Sequence, residues 1–375
     1  MFSLDSPFSA TSPAAESLRR PRAIVTINDD RVLWIDLSVT TSTFYIADTF
    51  RIELPLHGQP PGVNFGFWES AQQFRVKVYI GFPTDPISYT TNDLDLMILG
   101  NVDEVEVDPA RAIVTLTGRD LTSSFIDTKT TQKFSNNTSS QIAAIFAQEH
   151  GLKQQITQTN TPVGNFYQTQ QTLLTNSVTE WDLLTYLAQQ EDFVAFVQAD
   201  TLIFEPRPTT TNNPYMINYR APLVPGSSPS INVYSMCLRR ATSLAGDVTV
   251  TVRVPYGTKT GQAFSVKATS KHTGSPSSTK KQKYSYIIAG LTQEQATQKA
   301  QQILRDITRN ERILEFSAPG ENTLKKDGMV KLTGTGTGFD QLYYTNQVVR
   351  TINASGGYDM TVSAKNHSVD TQVSM

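Results

Sequence analysis

The chain contains 375 residues with a mass of 41.5 kDa and a formal charge of −2, and 38% of its residues are apolar. This length predicts two to four domains, each able to bury its own core. The single cysteine, Cys237, excludes an internal disulfide framework and a cysteine-cluster metal site, and its strand-like context predicts a small buried side chain. No apolar run approaches the about 18–20 residues of a membrane helix, so we expect no membrane insertion by this chain.

The charge is unevenly distributed along the chain. Residues 1–205 contain 12 Lys+Arg and 24 Asp+Glu, whereas residues 206–375 contain 20 and 10, so that a net −12 faces a net +10. Two interpretations stay open: chance variation between solvated faces, or opposite poles suited to stacking between two different neighbours. The basic residues are spread thinly and no known nucleic-acid-binding motif occurs, which disfavours nucleic acid as a partner.

The first third of the chain predicts strands. Residues 1–19, rich in Ser, Pro and Ala, predict a flexible arm. Strands over 23–28 and 31–37 flank a predicted turn at Asp29-Asp30, and every second residue from Phe74 to Phe82 is apolar. A further hairpin is predicted around Asp108-Pro109-Ala110. Short strands at this spacing predict a sandwich or barrel.

The pattern changes after Gly118. Two helices are predicted, over Ser139–His150 after Asn137-Thr138, and from a capping box at Ser177 and Glu180 to about Gln190. The second helix would bury a stripe that includes Trp181 and Leu184, and a hairpin over 193–205 follows it. These elements predict a compact α+β module.

The remaining chain is again rich in strand patterns. Residues 208–230 predict a linker, and strands are predicted over 231–239, at Val248–Val254 and from Ile313 onward. A basic loop is predicted over Gly274–Lys283, and a helix with Thr292 as N-cap and Gln295 in a capping box follows it.

A short internal echo accompanies this pattern. Val114–Gly118 and Val330–Gly334 match at four of five positions, each in a predicted β region. The echo is compatible with two related β domains, one early and one late, and equally with chance.

Candidate chemical motifs are few. The Gly-rich run Thr333–Gly338 is followed by strand rather than helix, so it predicts a β-turn and not a phosphate loop. The carboxylates of Asp93–Asp108 alternate with valines, as on a solvated or interface strand; a metal site and a glycosidase pair are the alternative interpretations. His150 precedes Gly151 at a helix end, where the helix dipole favours a cation. We therefore expect no enzyme, no cofactor and no bound metal.

The order of several motifs resembles the phage late-control protein D family, the baseplate hub proteins of contractile tails. The motifs are Leu116-Thr-Gly118-Arg119-Asp120, Phe134–Thr138, Ser177–Leu184 with Trp181, Leu332–Asp340 with Gly334, and Gly356-Gly357-Tyr358-Asp-Met360. They lie in the family's order over about residues 20–366. The hub-like half of VgrG spike proteins is similar as well.

The resemblance implies a mainly β fold with α+β insertions. Two β-barrel tube domains would occupy 20–118 and 206–246 plus 311–366, an α+β module 119–205, an α/β insertion 247–310 and a C-terminal tail 367–375. Gly118, Arg119, Asp120, Trp181, Leu184, Gly334, Gly356, Gly357 and Tyr358 would be structural motif residues.

The resemblance also implies a function. Three copies would form a homotrimeric, pseudo-sixfold ring in the virion that joins the sixfold tail tube to the threefold central spike. The expected partners are the spike protein, the tail tube or a tube initiator, and the baseplate wedge and tape-measure proteins. The alternatives are a carbohydrate- or receptor-binding tail protein, or the hub of a related contractile injection system. A tail-associated cell-wall hydrolase is the enzymatic alternative.

Overall fold

The computed structural model describes residues 20–70, 72–130, 132, 134, 137–160, 162–163, 178–208, 211, 213–224, 226–244, 247–257, 261–270, 281–353 and 357–366. The predicted arm and tail, residues 1–19 and 367–375, lie outside the described residues, as do Ser177 and Gly356.

The strands and helices are numbered here in chain order. The strands are β1 Arg22–Ile27, β2 Asp30–Val32, β3 Asp36–Ser42, β4 Thr49–Pro55, β5 Arg75–Gly81, β6 Asp95–Asp108, β7 Ile113–Asp120, β8 Lys129–Thr130, β9 Lys153–Ile156, β10 Val178–Thr179, β11 Phe193–Gln198, β12 Thr201–Pro206, β13 Tyr215–Arg220, β14 Ser230–Ile231, β15 Ser235–Arg240, β16 Val248–Val254, β17 Phe264–Ser270, β18 Gln282–Ile287, β19 Arg312–Pro319, β20 Met329–Thr333, β21 Leu342–Asn353 and β22 Tyr358–Asn366. The helices are α1 Phe65–Glu69, α2 Thr122–Asp127, α3 Ser139–Glu149, α4 Glu180–Glu191 and α5 Gln293–Thr308.

The four largest apolar clusters among the described residues organise these elements. Strands β1–β7 surround one cluster and form the first barrel; β13–β15 and β19–β22 surround another and form the second barrel. Helices α2–α4 pack with β8–β12 as an α+β module, and α5 packs on β16–β18 as an insertion within the second barrel. The predicted mainly β fold with two barrel-like sheets and two smaller α/β modules is confirmed.

The two barrels are built on one strand order. In the first barrel the strands lie side by side as β2-β1-β5-β6-β7-β4-β3, and in the second as β14-β13-β20-β21-β22-β19-β15. Each strand of the first barrel has a counterpart at the same place in the second barrel, and the counterparts also follow one another in the same order along the chain. The orientations also correspond, except that β1 runs antiparallel to β5 whereas β13 runs parallel to β20. The barrels are therefore an internal duplication, and the insertion occupies the connection that residues 43–48 make in the first barrel.

A β-bulge fixes the alignment of the two copies. Asp103 is the extra residue where β6 pairs with β7, and Asn346 is the extra residue where β21 pairs with β22. Matching the bulges places Val114–Asp120 of β7 on Met360–Asn366 of β22. The two segments, VTLTGRD and MTVSAKN, are conservatively related at every position. The shared pairing register thus has a sequence counterpart.

This alignment corrects the echo found in the sequence. Val330–Gly334 lies on and just after β20, which corresponds to β5, whereas Val114–Gly118 lies on β7. The two segments are not equivalent, and their match is fortuitous. The equivalent segments, Val114–Asp120 and Met360–Asn366, instead share a pattern of alternating buried apolar residues. The identity of such residues can change as long as they stay apolar and buried.

Several local predictions are also corrected. The first hairpin turns at Asn28-Asp29, both with positive φ, one residue earlier than predicted, because two-residue hairpin turns require that conformation. The predicted 208–230 linker contains β13, whose consecutive residues Tyr215–Asn218 pair with β20. Helix α4 is capped by Thr179, whose hydroxyl accepts from Asp182 N at 3.0 Å, rather than by Ser177. Cys237, predicted as a buried side chain, is exposed on β15, because its side chain lies on the face of that strand that no described residue covers.

Other boundaries follow the sequence closely. The capping boxes at Thr138 with Gln141 and at Thr292 with Gln295 are both formed. Residues 271–280 of the predicted basic loop lie outside the described residues, and strand β18 begins at Gln282, within the end of that loop.

Candidate functional site

The long strand β21 joins the two barrels. Its first residues pair with β20 of its own barrel, and from Gln347 to Asn353 the same side of the strand pairs instead with β3 of the first barrel. The partners run from Gln347 opposite Ser42 to Asn353 opposite Asp36. The sheet therefore passes without a break from one barrel to the other.

Side chains of the second barrel also enter the first core. Ile352 and Tyr358 belong to the first barrel's apolar cluster, and the Tyr358 ring lies 5.9 Å from that of Phe82, centroid to centroid. The Tyr358 hydroxyl donates to Asn322 Oδ1 at 2.6 Å, and burial raises the pKa of this phenol. A shared core and a shared sheet fix the barrels as one body.

Arg350 of β21 is the largest fully buried side chain at this junction, at 1% exposure. Its Nε donates to the carbonyl oxygen of Glu321 at 2.9 Å, and its Nη2 donates to that of Leu324. Burial lowers the pKa of the guanidinium. The side chain thereby holds the β19–β20 connection against the junction through charge-assisted hydrogen bonds.

A buried ion pair links the same connection to the first barrel. Lys326 Nζ lies 2.9 Å from Asp48 Oδ1, which also accepts from Ser42 N at 2.8 Å. The Lys326 ammonium lies 5.3 Å from the centroid of the Phe196 ring in the α+β module. Burial raises the pKa of Asp48, and Lys326 opposes that rise. One lysine thus contacts two other parts of the molecule.

A cleft of about 310 Å³ opens beside this pair, where the two barrels and the module meet. Its lining includes Asp48, Asp120, Lys326, Arg350 and the hairpin residue Phe196. Burial, and secondarily the Asp48 carboxylate, raises the pKa of Asp120 to about 7, and Lys326 opposes this. Asp120 Oδ1 accepts from Thr122 N at 3.1 Å, whereas Oδ2 has no hydrogen-bond partner among the described residues. The cleft therefore holds a buried carboxyl group whose ionisation is disfavoured by burial.

The motif residues at the end of β7 have distinct structural tasks. A Cβ on Gly118 would lie 2.1 Å from the carbonyl oxygen of Asn101 and 2.5 Å from the Phe50 ring, so only glycine fits. Arg119 forms a bidentate pair with Asp103, with Nε–Oδ2 at 2.7 Å and Nη2–Oδ1 at 2.8 Å. It also contacts Asp127, and these hydrogen bonds raise the pKa of the guanidinium.

The motif residues of helix α4 lie in the core of the α+β module. Leu184 is fully buried, and Trp181 donates from Nε1 to the carbonyl oxygen of Tyr45 at 2.9 Å. Tyr45 lies in the connection between β3 and β4, so this bond ties the module to the first barrel. Glu180, placed in the sequence as part of a capping box, is instead buried against His150, with Oε2 2.5 Å from Nε2.

The remaining motif residues lie on the second barrel. Gly334 has φ +93°, and a Cβ there would lie 1.9 Å from the carbonyl oxygen of Tyr219. The Thr333–Gly338 run is a turn between β20 and β21, closed by Asp340, which accepts from Thr335 N and Gly336 N at 2.9 and 2.8 Å. Gly357 precedes Tyr358 at the barrel junction. The motif residues are thus dispersed, and of those that the structure describes only Asp120 lines the cleft.

Sequence reasoning missed Asp48, Lys326 and Arg350. The three residues are far apart in the chain and come together through the β3–β21 pairing. A charged residue at an alternating apolar position, as Arg350 is between Val348 and Ile352, is the signal that could have identified one of them.

Two further strand segments have one unpaired side among the described residues. β6 pairs with β5 only up to Asn101, so the same side of Asp103–Asp108 carries no neighbouring strand. β15 pairs with β19 alone. Glu104 and Glu106 are exposed on the first segment, and Arg239 and Arg240 on the second. Each barrel therefore presents a segment able to accept a strand.

In the part of the chain that the structure describes, His, Cys, Asp and Glu side chains do not gather in groups of three or more that could bind a metal ion. The described helices include none long and apolar enough to cross a membrane.

Solved structures of other proteins superpose on nearly the whole of this chain. The tail protein from Neisseria meningitidis MC58 superposes with a TM-score of 0.62 at 14% identity, over 92% of this chain and 96% of its own. This chain has the fold of phage tail proteins. The 43 kDa tail protein of prophage MuSo2 from Shewanella oneidensis gives 0.61 at 14% identity, over 93% and 99%. A chain of the Francisella PdpA–VgrG complex gives 0.53 at 8% identity, over 95% of this chain and 55% of its own.

Comparison of the amino-acid sequence with family models and curated proteins finds no match. The solved structures confirm the resemblance to phage tail proteins at the level of the fold.

Proposed function

We propose that this protein is the structural hub of a contractile phage tail baseplate. Three copies form a ring of six barrels, which joins a sixfold tail tube to a threefold central spike. The observation that carries the proposal is the strand β21, which joins two duplicated barrels into one continuous sheet. A chain with two equivalent barrels is suited to match sixfold symmetry with three copies.

The structural neighbours support a role in tail assembly. The two phage tail proteins are matched over more than 90% of both chains, so the similarity includes the barrels, the module and the insertion. The proposed partners are a second and third copy of this chain, the central spike, and the tail tube or its initiator. Baseplate wedge and tape-measure proteins are further candidates, and the site of action is the virion, after synthesis in the bacterial host cytoplasm.

The role proposed is structural rather than enzymatic. The ionisable groups gathered in the cleft bind one another and backbone groups of three parts of the molecule, as a structural junction requires. The tail proteins that share the fold point in the same direction. The similarity to a VgrG-containing complex supports one variant, the hub of a related contractile injection system.

The mass of the purified chain in solution tests the proposal. Light scattering over a range of concentrations is expected to show a species of three times the 41.5 kDa chain mass, alone or on addition of the spike protein. A 41.5 kDa species at every concentration, with and without spike and tube proteins, would contradict the hub. Binding to glycans by such a monomer would favour the receptor-binding alternative.

A further inference from the structure

We propose that strand β15 of one copy pairs antiparallel with residues 104–108 of strand β6 in the next copy, with Arg239 opposite Glu106 and Cys237 opposite Asp108. This inference rests on the proposed hub function, because it names the surface through which the copies associate. It follows from the duplication of the barrels and from the two segments that lack a strand neighbour.

The pairing within the chain supplies the template. β3 is the last strand of the first barrel, and it pairs with the part of β21 that β20 leaves open. The counterpart of β3 in the second barrel is β15, and the counterpart of β21 in the first barrel is β6. β6 has the corresponding open part, because β5 covers it only to Asn101. The contact already made once inside the chain is thus available a second time between copies.

The register follows from the strand pairings. The bulges align Asp103 with Asn346, which places Asp108 on Thr351. In the first barrel, Thr117 of β7 pairs with Arg51 of β4, which pairs with Ser38 of β3. In the second barrel, the equivalent Ser363 of β22 pairs with Glu315 of β19, which pairs with Cys237 of β15. Cys237 is therefore the counterpart of Ser38. Thr351 and Ser38 are partners in the chain, so their counterparts Asp108 and Cys237 become partners between copies.

The same register pairs Val107 of one copy with Leu238 of the next. These residues are the counterparts of Arg350 and Val39, and both are half-buried in the isolated chain. Pairing would place the two apolar side chains against each other on the core side of the sheet. Their burial would follow the pattern of the junction inside the chain, where Arg350 and Val39 are fully buried.

The charges on the opposite face are complementary. Glu104 and Glu106 alternate on the exposed face of β6 and form no ion pair among the described residues. Arg239 and Arg240 of β15 already contact Glu315 and Glu311 of their own copy. A guanidinium can bind two carboxylates, as Arg119 does with Asp103 and Asp127 here. Arg239 can therefore bridge Glu315 and the Glu106 of the next copy, while the two glutamates would repel a second acidic edge.

This pairing also explains the uneven charge of the sequence. The acidic edge belongs to the half of the chain with net −12 and the basic edge to the half with net +10. Opposite poles on one chain favour head-to-tail association, in which the first barrel of one copy meets the second barrel of another. Such a heterologous contact forms a ring when its rotation closes.

A disulfide between copies tests the register. Cys237 is the sole native cysteine, so the variant Asp108→Cys adds the one partner that the register requires. Opposite residues in antiparallel strands have Cα atoms about 4.5–5.5 Å apart, within the range that a disulfide spans. With a mild oxidant, most of the Asp108→Cys chains are expected to run as thiol-reversible dimers and trimers on a gel. Mass spectrometry should identify a peptide that joins Cys237 to position 108.

Glu106→Cys is the matched control. Its side chain lies on the same face of β6 but is displaced from Cys237 by two residues, a diagonal of about 7–8 Å that a disulfide does not span. The wild type and the double variant Asp108→Cys, Cys237→Ser should both stay free of dimers. A cross-link in Glu106→Cys that exceeds the one in Asp108→Cys would overturn the register.

A second pair guards against a folding defect, because Asp108 also accepts hydrogen bonds from Ala110 N and Arg111 N in the hairpin. Glu106→Cys combined with Arg239→Cys, in a Cys237→Ser background, tests the same register and leaves Asp108 intact. Absence of both cross-links in a three-copy particle would overturn the pairing and leave the hub proposal standing. Absence of both in a chain that stays monomeric would overturn the hub proposal itself.

Discussion

The two barrels share a strand order, yet they differ at the positions where strands meet neighbours. The first barrel completes the outer side of β3 within the chain, and the junction there is buried and charged, with Arg350, Lys326 and Asp48. The second barrel leaves the equivalent strand, β15, uncovered among the described residues. The same strand order thus contains a paired strand, β3, in the first barrel and an open edge strand, β15, in the second.

The largest expected difference in stability is between a substitution at the buried junction and one at the equivalent position of the open edge. Arg350→Ala removes donors to two backbone carbonyls and leaves a cavity, so we expect a loss of about 3–5 kcal/mol in the free energy of unfolding. Val107→Ala, at the equivalent position of β6, should cost about 1 kcal/mol because Val107 is half-buried. Denaturant unfolding measures both, and equal losses would remove the distinction between junction and edge.

The next comparison concerns the buried ends of β7 and β22. Asp120 and Asn366 are equivalent, 4% and 2% exposed, and the second barrel carries the neutral side chain. The pKa of Asp120 in the folded state, about 7, lies above the ordinary value of 3.8 for an aspartate. The folded state therefore binds the proton more tightly, and this group's contribution to stability is complete at low pH and is lost as pH rises from about 4 through 7.

Asp120→Asn should remove that dependence. At pH 8 the variant should be more stable than the wild type by roughly 4 kcal/mol, and near pH 4 the difference should nearly vanish. Unfolding measured from pH 4 to 8 gives the difference directly. Asp127→Asn, at an exposed side chain, is the control and should leave the slope unchanged. A difference that does not grow with pH would contradict the burial argument.

A smaller effect is expected where the barrels differ in packing over the same strand. Gly118 is covered by the Phe50 ring, whereas its equivalent, Ala364, accommodates a methyl group. Gly118→Ala places a Cβ against the Asn101 carbonyl and should cost about 2–3 kcal/mol. Ala364→Gly should cost about 1 kcal/mol through backbone entropy and lost packing. Thermal unfolding compares the two, and a stable Gly118→Ala protein would contradict the close approach.

The smallest effect is expected between the insertion and the α+β module. Arg305 of α5 pairs with Asp192, and both side chains are about half-exposed. Arg305→Gln should therefore change the free energy of unfolding by about 0.5 kcal/mol, since water already solvates the two charges. A loss above about 2 kcal/mol in the same denaturant assay would make this contact comparable to the barrel junction.

The strands and helices were predictable where the pattern is local. Alternation at Val248–Val254 and capping at Thr138 and Thr292 are determined by neighbours in sequence, and each element is present where expected. The sequence predicts a linker where β13 lies, because its short alternating run lies among Pro, Thr and Asn residues. Its pairing with β20, more than a hundred residues later, supplies the stabilisation that local propensity does not.

The junction was not predictable from the sequence alone. Asp48 and Lys326 meet only because β3 pairs with β21, and nothing within a few residues of either one indicates the other. The short match between Val114–Gly118 and Val330–Gly334 does not identify the duplicated strands, since a near-identical short match is less informative than a register shared by consecutive strands. The carboxylates of β6 were correctly placed on an exposed strand face, although the partner that fits them became evident only from the topology.

Electron microscopy of the assembled chain tests the central claim, that copies repeat between one another the junction made within each copy. The account predicts a threefold ring of six barrels around an open centre, with β15 of each copy beside β6 of the next. Particles with one pair of barrels, or twofold dimers that join like barrels, would contradict it.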